Sequence, residues 1–336
     1  MTPLLEVEDL TVRFRLGSAC WARLRGRPAP VLTAVNGLSL RVERGTALGI
    51  VGESGCGKST LARSIVGLEE ADSGRVLFDG TALGRKRPAS ERRRMQMVFQ
   101  DPSSALNPRL TVERTLAELV RLNGGVDRSD LRARCEELVS LVDLPLRTLE
   151  RLPRELSGGQ RQRVSIARAL ALEPELLIAD ESVAALDVSV QASILNLFND
   201  LRSQLGLTLI LISHDLSVVR QTCDEVAVMY LGKVVEHRRT EDLIDDPLHP
   251  YTQALIRAAP RFGVRKTPGL SVLPGEPPSP VGVRLGCSFA PRCPLAIERC
   301  VSEEPLLEAQ PGGGHLACHV QGSPIGDPGV REDVRP

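Results

Sequence analysis

Eight consecutive residues, Gly52-Glu53-Ser54-Gly55-Cys56-Gly57-Lys58-Ser59, fit the pattern G-x-x-x-x-G-K-S/T without exception. Glycines at Gly52, Gly55 and Gly57, with Ser54 between them, let backbone N–H groups turn inward and cradle phosphate oxygens at a helix N-terminus. Lys58 is then expected to reach the β- and γ-phosphates, Ser59 to ligate Mg²⁺, and Thr60 to lie near the α-phosphate. A second group, Asp180-Glu181, ends the apolar run Leu176-Leu177-Ile178-Ala179. A buried strand of that kind delivers both carboxylates to the carboxyl edge of a sheet. Asp180 suits Mg²⁺ held through water, and Glu181 suits a base that positions or deprotonates an attacking water. Between the two groups lies Leu156-Ser157-Gly158-Gly159-Gln160. Ser157 can cap a helix whose first N–H groups and dipole favour an anionic oxygen.

These residues need particular elements to hold them. Residues 4–13 alternate apolar and polar, as a half-buried strand does, and so do Leu38, Leu40 and Val42. Ala47–Val51 is a short apolar strand leading into the glycine loop, and Lys58–Leu68 reads as the helix that follows. Residues 16–30, rich in Arg, Gly and Pro, read as a loop. Residues 111–142 carry helical periodicity broken at Asn123-Gly124-Gly125, a helical insert between two pieces of α/β core. A helix from about Ser157 to Leu172, a strand at Leu176–Asp180, a helix from Val188 to Leu205 and a strand at Leu207–Ser213 complete the pattern. From about residue 260 the chain turns rich in Pro and Gly and holds four of the eight cysteines.

The phosphate loop, LSGGQ and acidic strand, in this order, resemble the nucleotide-binding subunit of an ABC ATPase. The resemblance implies an α/β P-loop core with an antiparallel β subdomain and a helical signature subdomain at about 101–172. It implies that Ser157, Gly158, Gly159 and Gln160 face the γ-phosphate held by a second subunit, so that one copy does not suffice for hydrolysis. It also assigns Gln100, in Val98-Phe99-Gln100-Asp101-Pro102, to sensing Mg²⁺, and His214, in Ile212-Ser213-His214-Asp215, to the γ-phosphate and the water. Phe14 is the adenine-stacking candidate, with Trp21 its rival. Importer relatives follow the glutamate with Pro-Val-Ser-Ala-Leu-Asp; here Ser182-Val183-Ala184-Ala185-Leu186-Asp187 follows. The loop normally crosses the dimer interface, so altered coupling between sites is expected there.

Cys287, Cys293, Cys300 and Cys318 follow the spacing C-x5-C-x6-C-x17-C. Four clustered thiols in a cytosolic setting favour metal over disulfides. With Pro291-Arg292-Cys293-Pro294, the prolines of 274–280 and His249-Pro250-Tyr251-Thr252, they resemble the C-terminal extension of oligopeptide/dipeptide importer ATPases. That resemblance implies a 4Fe–4S cluster on the four thiolates, with zinc the alternative, and a division into a nucleotide-binding domain, 1–259, and an extension, 260–336. The implied assembly is a pair of ATPases, often different chains, with two transmembrane permeases and an extracytoplasmic solute-binding protein. Cys56 lies inside the phosphate loop, where alkylation is expected to block nucleotide.

Basic and acidic residues balance at 42 each, so no bulk electrostatic footprint for nucleic acid is present. No apolar stretch approaches the roughly 18–20 residues that span a bilayer, and the first residues lack a signal-peptide pattern. The expectation is a peripheral subunit at the cytoplasmic face of a membrane. Two other classes fit less well. A soluble ABC ATPase working on nucleic acid or ribosomes usually has two cassettes or a long coiled-coil insert. A regulatory nucleotide-binding subunit with little turnover would not need Glu181 and His214.

Overall fold

The computed structural model describes residues 3–16, 30–85, 87–124, 126–184, 186–258, 278–279, 281–282 and 285–321, without side chains at 103–104. Trp21 and Cys20 lie outside these residues.

Two sheets carry the fold. The smaller is antiparallel, in the order β2-β1-β4-β5: β1 is Leu5–Arg15, β2 Val31–Val42, β4 Ser73–Phe78 and β5 Thr81–Ala82. The larger runs β11-β12-β10-β9-β3-β8-β7-β6. Its parallel centre is β6 (Met95–Val98), β7 (Leu176–Asp180), β8 (Thr208–Ser213), β3 (Ala47–Val51) and β9 (Glu225–Tyr230). The antiparallel flank is β10 (Lys233–Arg239), β12 (His315–Leu316) and β11 (Glu308–Ala309).

Strands β3, β7 and β8 are buried at every position, as parallel strands covered on both faces must be. Their alternation sorts side chains into two cores. Leu209 and Leu211 of β8 face a cluster that includes Val112, Leu116 and Leu138 of the helical insert. Ile210 and Ile212 face the other way, onto a cluster with Leu61 and Ile65 and with Leu5, Val7 and Leu10 of the small sheet. The central sheet is thus the shared wall between a β layer and a helical layer.

The expected helical insert is two helices, Val112–Asn123 and Leu131–Leu141. Thr111 caps the first by accepting from the Arg114 amide at 3.3 Å, and Gly124, at φ +81°, stops it. The Pro- and Gly-rich extension also contributes regular structure. Its described part adds β12 to β10, pairing Leu316 with Glu236 and His315 with His237, so it continues the central sheet. Among the described residues no helix is long and apolar enough to cross a membrane.

Candidate functional site

The phosphate loop leaves the carboxyl end of β3 and enters the helix Lys58–Val66. Its glycines answer to space as well as φ. A Cβ on Gly57, at φ +107°, would sit 2.0 Å from the Ala34 carbonyl oxygen; one on Gly52 would sit 2.2 Å from that of Met229. Only hydrogen fits where the loop folds against two strands. Lys58 is 4% exposed, and its ammonium donates to the Gly52 carbonyl at 2.8 Å and that of Glu53 at 3.0 Å. Thr60 follows in the first turn, while Ser54 and Gly55 form the exposed rim. Cys56 is buried, and burial pushes its thiol up. Burial thus disfavours the reactive thiolate inside the loop.

Across the sheet edge, Ser59 Oγ donates to Asp180 Oδ1 at 2.8 Å. Burial pushes the Asp180 carboxyl up, against the opposing pull of that hydroxyl. Glu181 follows at φ +44°, a left-handed backbone rare outside glycine. Its amide donates to the Ile212 carbonyl at 3.0 Å. This turn brings its carboxylate to Gln100, whose Nε2 donates to Oε2 at 3.0 Å, and within 3.9 Å of His214 Nδ1. Gln100, just beyond β6, and His214, just beyond β8, thus meet Glu181 from either side. Gln100 touches Glu181 rather than the Ser59–Asp180 pair.

The LSGGQ turn lies in the helical layer. Ser157 Oγ accepts from the Gln160 amide at 3.3 Å and Gln160 Oε1 accepts from the Ser157 amide at 3.0 Å. This reciprocal cap opens the helix Gly158–Leu170. The first amides of the helix, Gly158 and Gly159, have no partner within it. Gly159 is also a packing glycine, since a Cβ there would meet Val190 at 2.6 Å. Phe14 sits half-buried on β1, packed beside the β-layer core. Ser182, where importer relatives carry proline, is buried, and its hydroxyl finds no partner among the described residues.

One group was not visible as a group in the sequence. Glu53, inside the loop, is held at three points: its carbonyl takes Lys58, its amide donates to Tyr251 Oη at 2.8 Å, and its carboxylate takes Arg292 at 2.7 and 3.0 Å. Tyr251 and Arg292 lie in segments that the sequence marks only as motifs. The rings of Tyr230, Tyr251 and Phe289 pack together in tilted and edge-on pairs, with centroids 4.7–5.4 Å apart.

The four cysteines come together in the extension. The Cys287 amide donates to the Cys300 carbonyl at 2.8 Å. Gly286, at φ +75°, admits this approach; a Cβ there would lie 2.4 Å from the carbonyl oxygens of Cys300 and Val301. Burial raises the thiols of Cys287 and Cys293, and pushes that of Cys318 up to about 11. Backbone amides pull the other way: Phe289 and Ala290 donate to Cys287, Leu295 to Cys293 and Val320 to Cys318. Even so, no three His, Cys, Asp or Glu side chains among the described residues close tightly enough to hold a metal ion. Neither the expected 4Fe–4S cluster nor its zinc alternative therefore has a preformed ligand group among the described residues.

A phosphate loop feeding a parallel sheet, an acidic strand end beside it and a capped LSGGQ helix in a separate layer define an ATP-binding cassette. Residues 35–184 match the model for the ABC transporter family, and residues 235–300 match that for the oligopeptide/dipeptide transporter C-terminal region. The chain belongs to the ABC transporter ATP-binding family, in the branch that carries this C-terminal region, and is an ABC-type ATPase. It is 49% identical to a probable peptide ABC transporter ATP-binding protein of Sinorhizobium fredii, over 95% of this chain and 90% of the relative. A putative peptide import ATP-binding protein of Brucella abortus is 47% identical over 86% of this chain and 87% of its own. Among solved structures, cbiO1 of Clostridium perfringens, part of the ABC transporter complex cbiONQ, superposes with TM-score 0.63 at 28% identity, covering 73% of this chain and 92% of its own. The cassette MJ0796, in a dimeric post-hydrolysis state with ADP and Pi, gives TM-score 0.61 at 27% identity, covering 70% and 98%.

Proposed function

We propose that this chain is the ATP-hydrolysing subunit of an importer for peptides or related small solutes, working at the cytoplasmic face of a membrane. The observation that carries the reading is the convergence of Ser59, Asp180, Glu181, Gln100 and His214 on one sheet edge beside Lys58. The C-terminal match and the names of the relatives support the peptide assignment.

In this reading Lys58 and the loop amides bind the triphosphate, with Gly52, Ser54, Gly55, Gly57 and Thr60 shaping the cradle. Phe14 stacks on adenine. Ser59 and Asp180, already within 2.8 Å of each other, offer the hard oxygens that Mg²⁺ prefers, with Gln100 completing the set. Bound Mg²⁺ supplies charge neutralisation on the phosphates. Glu181 takes a proton from the attacking water, or orients it, and His214 steadies the γ-phosphate. Ser157, Gly158, Gly159 and Gln160 serve the phosphate held by a second ATPase subunit, to which the first amides of their helix offer free donors. That subunit is a different but similar chain. Two permeases and an extracytoplasmic binding protein complete the transporter.

The division is residues 1–259 for the cassette, with the helical subdomain at about 101–172, and 260–336 for the extension. Within it, Cys287, Cys293, Cys300 and Cys318 are the residues that would hold a 4Fe–4S cluster, although they form no preformed ligand group among the described residues. The backbone amides aimed at three of the sulfurs support thiolate ligation, and four soft donors suit iron–sulfur chemistry. Iron and sulfide analysis of anaerobically purified protein tests this; neither element at stoichiometric level defeats it. The catalytic assignment is tested with Glu181→Gln in the reconstituted complex. ATP should be trapped and transport lost, and normal turnover would remove Glu181 from its role.

A further inference from the structure

Glu53 poses an electrostatic problem. It places a carboxylate second in a loop built to receive a polyanion, where an unpaired negative charge repels the ligand. The structure answers with Arg292, 239 residues away, whose guanidinium grips both carboxylate oxygens at 2.7 and 3.0 Å. Arg292 is 6% exposed. It is itself held in place: Nη1 donates to Tyr230 Oη at 3.3 Å and the guanidinium lies 5.9 Å from the Tyr230 ring centroid. Tyr230 ends β9, the strand beside β3, from which the loop springs. Tyr251 Oη accepts from the Glu53 amide at 2.8 Å.

We propose that Arg292 is a positioning residue for ATP binding: the cysteine-rich extension neutralises and orients Glu53, and so sets the shape and charge of the phosphate loop in the same chain. Arg292 acts through Glu53, not on nucleotide directly. A forked, bidentate hold fixes both position and charge, which lysine cannot reproduce in full.

The test is a double-mutant cycle on the full-length chain, read as the Kd for a fluorescent ATP analogue, with thermal melting as the check on folding. Arg292→Met should raise Kd about tenfold, in line with the loss of a charge-assisted hydrogen bond. Arg292→Lys should recover part of the loss. In a Glu53→Gln background, where no carboxylate needs neutralising, Arg292→Met should change Kd by less than about twofold. In the assembled transporter the effect should fall on KM for ATP, with kcat kept at saturation. An unchanged Kd in Arg292→Met, or an equal loss with and without Glu53, would overturn the proposal. If Arg292→Met does not fold, Arg292→Lys carries the same cycle: a raised Kd against Glu53 and none against Gln at 53 supports it, and equal effects overturn it.

Discussion

At the phosphate loop, the chain gathers a buried ammonium, a buried carboxylate and a ring of backbone amides against the end of a parallel sheet. In the extension, it gathers four thiols against an added antiparallel edge. Both depend on glycines that let two backbones approach. Gly57 clears the Ala34 carbonyl, and Gly286 clears those of Cys300 and Val301. The charges differ. Burial pushes Asp180 and the thiols of Cys287, Cys293 and Cys318 alike toward neutrality, but Lys58 and Asp180 each have an oxygen partner close in space. The loop is thus preset for an anion in its folded form. In the extension, burial favours the protonated form of the Cys287, Cys293 and Cys318 thiols.

The largest break in this comparison should come from Gly57→Ala. The new methyl meets backbone on a strained φ, so stability should drop by on the order of 3 kcal/mol, and ATP-analogue titration should show binding weakened by about 100-fold or more. Gly286→Ala repeats the change in the extension. We expect about 2 kcal/mol lost in urea denaturation, with a far smaller change in ATP affinity because the loop keeps its own glycines. Equal effects of the two on ATP binding would erase the distinction between the regions.

A pH series sharpens it further. His249, wholly buried behind the loop, has its imidazole pushed down to about 3 by burial. Between pH 6.5 and 3 the unfolded chain takes up a proton there that the folded chain refuses. Folding stability must therefore fall as pH drops through that window, by about 1.4 kcal/mol per unit from this group. Urea denaturation at pH 7, 6 and 5 should show the slope, and His249→Asn should flatten it by one proton. The smallest effect belongs to Ser182→Ala. Deleting a buried hydroxyl with no partner should stabilise the protein by up to about 1 kcal/mol in a thermal melt, without altering ATP affinity.

What the sequence disclosed follows the range of the forces involved. The phosphate loop, the acidic strand end and the capped LSGGQ helix are local devices, and their residues sit where spacing puts them. The apolar runs at β3, β7 and β8 are legible because burial on both faces makes their interiors continuously apolar. The first half of β2, Val31–Gly37, does not read as a strand because it mixes polar residues with Gly37, and it pairs with β1 through register shifts. Strands β11 and β12, two residues each, are too short to carry a period and exist only because β10 offers an edge. The Arg292–Glu53 pair was illegible for a plainer reason. Neither residue has a pattern that points 239 positions along the chain. The sequence marks Pro291-Arg292-Cys293-Pro294 as a motif but not what it touches.

Arg292 stands one residue before Cys293, so one segment answers to both the thiols and the nucleotide. Thermodynamic linkage makes such an arrangement symmetrical. If the condition of the sulfurs changes the affinity for ATP by some factor, saturating ATP must change the equilibrium at the sulfurs by the same factor. The equilibrium at those thiols would then report the occupancy of the phosphate loop.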